Sequence, residues 1–201
     1  MKTAIPQLIV VAASVGGWQA LTRILSQLPA HFPAAMAVVI EPPEPGPASA
    51  LAALAKQTAL RVRMAEDGAE LAAGTVHVAP AGHRLTVSGT GRLGVAPAAA
   101  QPAPAQPPAD ALFTSAANAL RHRVVGVVLS GTGRDGAAGL TEIHKQGGVC
   151  IVQSPGEAQS AQMPMHAILQ DDPDYIAFLD DIGPLLMTLA TQRRGGAGAS
   201  P

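Results

Sequence analysis

The sequence predicts an α/β fold of the doubly wound (Rossmann-like) type, a mostly parallel sheet with helices on both faces and a small hairpin. Gln7–Ala13 and Val124–Leu129 are largely apolar without alternation, which is typical of strands buried on both faces. Trp18–Leu28 instead places its apolar residues at helical spacing. Because strand and helix patterns alternate along the chain, the strands are expected to run parallel.

The predicted strands are Gln7–Ala13, Met36–Ile40, Leu60–Met64, Thr75–Ala79, the hairpin Arg84–Ser88 and Arg92–Val95, Val124–Leu129, Val149–Gln153 and Tyr175–Leu179. The predicted helices are Trp18–Leu28, Ala48–Lys56, Ala109–Leu120, Ala137–Gln146, Pro164–Leu169 and Asp181–Leu189. Pro42–Pro47 predicts a turn, and Ala96–Pro108, which contains only Ala, Gln and Pro, predicts an extended or disordered loop. One domain is expected over residues 1–192, followed by a disordered tail over 193–201.

Composition limits the function classes. The 201 residues are 48% hydrophobic but only 2% aromatic, so aliphatic side chains must form the core. The net charge of −1 indicates no nucleic-acid partner. The lone Cys150 lies in an apolar run and is expected to be a buried hydrophobe. With no apolar run of about 18 residues, we expect no membrane insertion and a cytoplasmic location. No ligand spacing indicates a metal, and nothing indicates a cofactor.

Ser14 is the first candidate catalytic residue, since it follows a predicted strand and precedes Gly16 and Gly17. A Ser at a sharp strand-to-helix turn exposes its hydroxyl above the sheet. The glycines let backbone N–H groups face a developing oxyanion. The strict form of this turn has Gly two positions before the Ser, where this chain has Ala12. The alternative is that Ser14 only caps the following helix.

Two carboxylates follow other predicted strands. Glu41 ends the second strand and is expected at the same sheet edge as Ser14, the alternative being an ordinary loop carboxylate. Asp135 lies in the turn Ser130–Gly136. It either orients a base or serves as an acid at the N-terminus of the helix that follows.

The turn Ser130–Gly136 also matches the dinucleotide-binding pattern G-x-G-x-x-G between a strand and a helix. That pattern further requires an acidic residue about 20 positions on, at the end of the next strand. Here that strand ends at Gln153. A nucleotide-binding α/β protein is therefore an alternative function, against which Gln153 counts.

Together these segments resemble the CheB protein-glutamate methylesterases of bacterial chemotaxis. That family has G-A-S-T-G-G after its first strand, Q-H-M-P-P after its second and L-T-G-M-G-x-D-G late in the chain. This sequence has Ala12–Gly17, Ile40–Pro43 and Leu129–Gly136 at those places, and the agreement in order and spacing extends from about Pro6 to Leu189. Further similar segments are Ala65–Gly68, Val78–Pro80, Ala109–Phe113 and Gln162–Pro164.

The resemblance implies a Ser–His–Asp triad that hydrolyses glutamyl methyl esters on the cytoplasmic helices of methyl-accepting chemoreceptors or related chemosensory proteins. By position, Ser14 matches the nucleophile and Asp135 the orienting acid, whereas the base histidine falls on Glu41. Residues matched to the oxyanion site and the cleft are Val15, Gly16, Thr132 and Met163. Val15 also replaces a Thr that contacts the family's histidine. The family's usual receiver domain is not expected in this chain.

The replaced base leaves three hypotheses open. In the first, Ser14, Glu41 and Asp135 form an acid-shifted triad, because neighbouring carboxylates raise each other's proton affinity. In the second, His83 or His166, the histidines predicted nearest to the cleft, supplies the base. In the third, the domain is a pseudoenzyme that binds receptors or signalling partners without hydrolysis.

Overall fold

The computed structural model describes residues 7–41, 46–98 and 106–195. Its strands are β1 (Gln7–Ala12), β2 (Ala34–Val39), β3 (Arg61–Met64), β4 (Thr75–Val78), β5 (His83–Val87), β6 (Leu93–Pro97), β7 (Val124–Val128), β8 (Val149–Gln153) and β9 (Tyr175–Ala177). Its helices are α1 (Gly17–Leu25), α2 (Pro47–Ala55), α3 (Pro108–Leu120), α4 (Ala137–Lys145), α5 (Gln162–Gln170) and α6 (Leu179–Gly195), with a short 3-10 helix at Arg121–Arg123.

Seven strands form one parallel sheet in the order β3-β4-β2-β1-β7-β8-β9, while β5 and β6 form a separate antiparallel hairpin. The central strands β1 and β7 are buried almost throughout, which explains their continuous apolar sequence. The predicted fold, a doubly wound parallel sheet with a small hairpin, is confirmed.

Two apolar cores cover the two faces of the sheet. One core joins alternate residues of the central strands to α3, α4, α5 and the hairpin, with Phe113 fully buried. The other joins the remaining strand residues to α1, α2 and α6, with Phe32 buried. Successive residues of a strand point to opposite faces, so a single apolar run supplies both cores.

Three predicted boundaries need correction or lie outside the described residues. β6 continues to Pro97, because the antiparallel register pairs it with His83, so the predicted loop Ala96–Pro108 starts too early. Helix α6 runs to Gly195, so the tail predicted from residue 193 begins inside its last turn. Residues 42–45, 99–105 and 196–201, which hold most of the predicted turn, loop and tail, lie outside the described residues.

Two further properties of the described residues concern helix length and the clustering of metal-ligating side chains. No helix among them has the length and apolar character needed to cross a membrane. No group of three or more His, Cys, Asp or Glu side chains in that part of the chain could hold a metal ion.

Candidate active site

The carboxyl ends of four neighbouring strands, β4, β2, β1 and β7, surround a cleft of about 310 Å³. Such crevices at the carboxyl ends of strands are where open α/β sheets bind ligands. The polar side chains that line the cleft are those of Ser14, Glu41, His83, Thr132 and Asp135. Met163 adds an apolar wall from α5. The cleft therefore brings two hydroxyls, an imidazole and two carboxylates together.

Ser14 follows β1 in a sharp turn into α1. Its amide donates to the carbonyl of Ser130, at 3.0 Å, and its carbonyl accepts from Gly17 at 2.8 Å. The half-buried Ser14 hydroxyl has no hydrogen-bond partner among the described residues. It is therefore free to react, and no candidate base contacts it in the unliganded cleft. Catalytic hydrogen bonds are often long in unliganded sites and shorten when substrate binds.

Gly16 makes the turn after Ser14 possible. Its φ of +77° is in the left-handed region that side chains rarely adopt. A Cβ there would lie 2.5 Å from Cβ of Gln159 and 2.8 Å from Oγ of Ser130. Glycine at position 16 is thus required both by backbone conformation and by close packing.

Ser130, which follows β7, supports the turn after Ser14, a role not predicted from the sequence. Only 1% exposed, it donates from Oγ to the carbonyl of Val15 at 2.7 Å and accepts from the amide of Ser160 at 2.9 Å. Its own amide donates to Oε1 of the buried Gln153, at 2.8 Å. A polar residue at the end of an apolar strand was the available signal for both residues.

The hydrogen bond between Gln153 and the amide of Ser130 weakens the nucleotide-binding alternative. Gln153, at the position where an acidic residue would bind ribose, is buried and used to hold the amide of Ser130. A Cβ on Gly131 would lie 2.9 Å from the amide nitrogen of Ser14 and would collide with Sδ of Met163. Gly131 therefore leaves room for the turn that carries Ser14.

Two backbone amides beside Ser14 are available to an anionic oxygen. Within the described ranges, the N–H groups of Val15 and Thr132 donate to no protein acceptor. Thr132 is exposed and lines the cleft, and it follows Gly131, which packs directly against Ser14. Val15 and Gly16 follow the nucleophile but do not line the cleft, and Val15 is 47% exposed.

Asp135 precedes α4 but accepts hydrogen bonds from a different helix. Its two carboxylate oxygens accept from the amides of Ala109 and Asp110 in the first turn of α3, each at 3.0 Å. It therefore caps α3. Sequence neighbourhood suggested α4, whereas the packing of α3 against α4 brings the N-terminus of α3 to Asp135.

Asp110 completes a reciprocal pair of helix caps. From the first turn of α3, its Oδ1 accepts from the amides of Gly136 and Gly139, at 3.1 and 2.7 Å, at the N-terminus of α4. Burial raises the pKa of the Asp110 carboxyl, the negative charge of Asp135 raises it further, and the bonds from the α4 amides oppose both effects. Asp110 in α3 thus caps α4, and Asp135, which directly precedes α4, caps α3.

The two histidines proposed near the cleft differ in position. His83 lines the cleft, and its Nδ1 lies 2.9 Å from the carbonyl oxygen of Ala81. His166 is exposed on α5, outside the cleft lining, with Nδ1 2.9 Å from the carbonyl oxygen of Gln162. Of the two, the structure brings only His83 into the cleft with Ser14.

Comparison with known proteins agrees with this geometry. A family model described as CheB methylesterase matches residues 9–186. The chain is 37% identical over 184 residues to the protein-glutamate methylesterase FrzG of Myxococcus xanthus, covering 90% of this chain and 54% of that protein. It is 32% identical over 200 residues to a protein-glutamate methylesterase/protein-glutamine glutaminase of Pyrococcus abyssi, covering 98% of this chain and 54% of that protein.

A solved structure shows the same fold. The CheB methylesterase catalytic domain of Thermotoga maritima superimposes with a TM-score of 0.83 at 27% identity, covering 92% of this chain and 98% of that one. The chain spans about half the length of the curated relatives it matches. With a family match over most of its length and relatives above 30% identity, the chain belongs to the CheB methylesterase family.

Proposed function

We propose that this chain is a protein-glutamate methylesterase that hydrolyses glutamyl methyl esters on chemoreceptors or related chemosensory proteins. The observation that carries the proposal is the Ser14 hydroxyl, which lines the cleft without a protein partner, together with the nearby amides of Val15 and Thr132, which donate to no acceptor within the described residues. A hydroxyl in that position attacks an ester carbonyl, and amides of this kind stabilise the oxyanion that forms. The names and identities of the relatives supply the substrate class.

Each cleft residue has a role in this proposal. Ser14 is the nucleophile, the amides of Val15 and Thr132 form the oxyanion hole, and Met163 provides an apolar wall for the methyl group. Gly16 keeps the nucleophile turn open. Glu41, at the carboxyl end of β2, contributes a negative charge to the cleft.

Two hypotheses compete with this proposal. An acid-shifted Ser14–Glu41–Asp135 triad has less support, because both oxygens of Asp135 are already bonded to amides of α3. A pseudoenzyme that only binds its partner is favoured by one observation, the absence of any base contacting the Ser14 hydroxyl within the described residues.

The test is methanol release from a methylated chemoreceptor cytoplasmic fragment at about pH 7.5, a pH at which an imidazole is a competent base. We expect methanol to accumulate with the wild-type chain and the methylated side chains of the fragment to become glutamate carboxylates. Binding of the fragment without methanol release between about pH 4 and pH 8 would favour the pseudoenzyme instead.

A further inference from the structure

We infer that His83 is the general base that activates Ser14. The inference rests on the proposed esterase function and adds the group that accepts the proton. His83 lies just beyond β4, two strands from β1 in the sheet, and its side chain lines the same cleft as Ser14. It thus enters the cleft from a different strand end than Glu41, which follows β2.

The backbone of His83 is fixed by a tight turn. The amide of His83 donates to the carbonyl of Pro80 at 3.1 Å, and Gly82 at the third position of this turn has a φ of +70°. That combination is typical of a type II turn, which needs a glycine there. The carbonyl of Gly82 also accepts from Ala98 at 2.9 Å. The imidazole is therefore carried by a rigid corner of the cleft.

The imidazole itself is oriented by Ala81. With a proton on Nδ1, His83 donates to the Ala81 carbonyl across 2.9 Å, which leaves Nε2 as a hydrogen-bond acceptor. A histidine that acts as a general base needs this tautomer, with one nitrogen held by an orienting group and the other free. Here a backbone carbonyl takes the part that a carboxylate plays in the usual triad.

The charged groups around the cleft agree with this role. Glu41 and Asp135 are the ionisable side chains that line the cleft with His83, and both are carboxylates, so the lining brings no second cationic group to the imidazole. The neighbouring Arg84 directs its guanidinium to the carbonyl of Gln106. Asp135 is already engaged with the amides of α3, and Glu41 is a weaker base near neutral pH than an imidazole.

The reaction balances with these groups alone. Oγ of Ser14 attacks the ester carbonyl carbon while its proton passes to Nε2 of His83. The imidazolium then gives that proton to the methoxy oxygen as the C–O bond breaks and methanol leaves. Water attacks the acyl-serine by the same route, transfers a proton to His83, and restores the Ser14 hydroxyl as the glutamyl carboxyl group departs.

A serine-directed fluorophosphonate tests the base independently of the receptor substrate. We would measure the rate of Ser14 labelling from about pH 4 to pH 9, with Ser14→Ala defining the background. The wild-type rate should rise with pH and reach a plateau once the base has lost its proton. His83→Gln should lower the rate at pH 7.5 by about a hundredfold or more, whereas the matched control His166→Gln should leave it unchanged.

Other outcomes separate this inference from the proposed function. Unchanged labelling in His83→Gln, or an inflection near pH 4–5 that disappears in Glu41→Gln, would overturn the role of His83. Lack of any Ser14 labelling would overturn it as well. Normal His83-dependent labelling without hydrolysis of receptor esters would instead contradict only the proposed substrate. His83→Asn, which keeps a donor for the Ala81 carbonyl but has no base, serves if His83→Gln fails to fold.

Discussion

At the residue scale, the motif around Ser14 was predictable, whereas the side chains that support it were not. A Ser between an apolar run and two glycines has a local signature, and Ser14 does lie at the end of β1. Ser130 and Gln153 are marked in the sequence only as polar residues at the ends of apolar strands, because their roles depend on contacts with segments 23 to 115 positions away. Glu41 could be placed at the cleft because it follows a strand that ends at the same sheet edge as Ser14.

His77 gives a residue-scale prediction about pH. It is 4% exposed in β4, and neither ring nitrogen has a hydrogen-bond partner within the described chain. Burial lowers the pKa of His77, the positive charge of Arg63 lowers it further, and Glu66 opposes them. The unfolded chain, with an ordinary pKa near 6.5, therefore binds more protons than the folded chain below that pH.

The free energy of unfolding should accordingly fall as pH drops below about 6.5. Above that pH His77 is neutral in both states and should add nothing to the pH dependence of stability. Urea unfolding of the wild type and of His77→Leu between about pH 5 and pH 7.5 measures this. The wild type should lose more stability on acidification than the variant. Parallel pH profiles for the two proteins would show that His77 is not the group responsible.

At the scale of the element, the spacing of apolar residues predicted nearly every strand and helix, and the errors lie at the ends of these elements. The helix predicted from Asp181 begins at Leu179 and continues to Gly195, because Arg and Gln residues near its end tolerate a helix as well as a tail. The hairpin extends into the Ala/Gln/Pro segment, because pairing with β5 orders residues that have little preference of their own.

The reciprocal caps of α3 and α4 give an element-scale prediction. Removing either carboxylate leaves amides at a helix N-terminus without an acceptor, so Asp110→Ala and Asp135→Ala should each lower the free energy of unfolding by about 1–2 kcal/mol. Asp172→Ala is the matched control, since Asp172 is exposed. Denaturant unfolding measures all three, and equal stability of Asp110→Ala and the control would contradict the assignment.

Asp135→Asn separates a cap from a triad acid. The variant keeps one oxygen for the amides of α3, so esterase activity should stay within about tenfold of wild type if Asp135 is only a cap. Changing the acid of a working triad to the amide costs about ten-thousandfold. A loss of that size in Asp135→Asn would return Asp135 to the base-orienting role.

At the scale of the whole molecule, the sheet order explains why distant segments share one site. With β1 central, flanked by β2 and β4 on one side and β7 on the other, four carboxyl ends meet around Ser14. Strand and helix alternation predicted this edge as the place for chemistry. It placed both His83 and His166 near the cleft but could not distinguish them, because short turns have no periodic signal, and the structure brings only His83 into the lining.

Methanol release by Ser14→Ala, compared with the wild type on the same methylated receptor fragment, tests the central claim that this cleft is a serine esterase centre. The variant should lose about a thousandfold or more in rate while keeping its unfolding profile, because the hydroxyl makes no structural hydrogen bond within the described residues. The control Ser26→Ala, which alters an exposed hydroxyl bonded to the Arg23 carbonyl, should hydrolyse at the wild-type rate. Undiminished methanol release by Ser14→Ala would contradict the account.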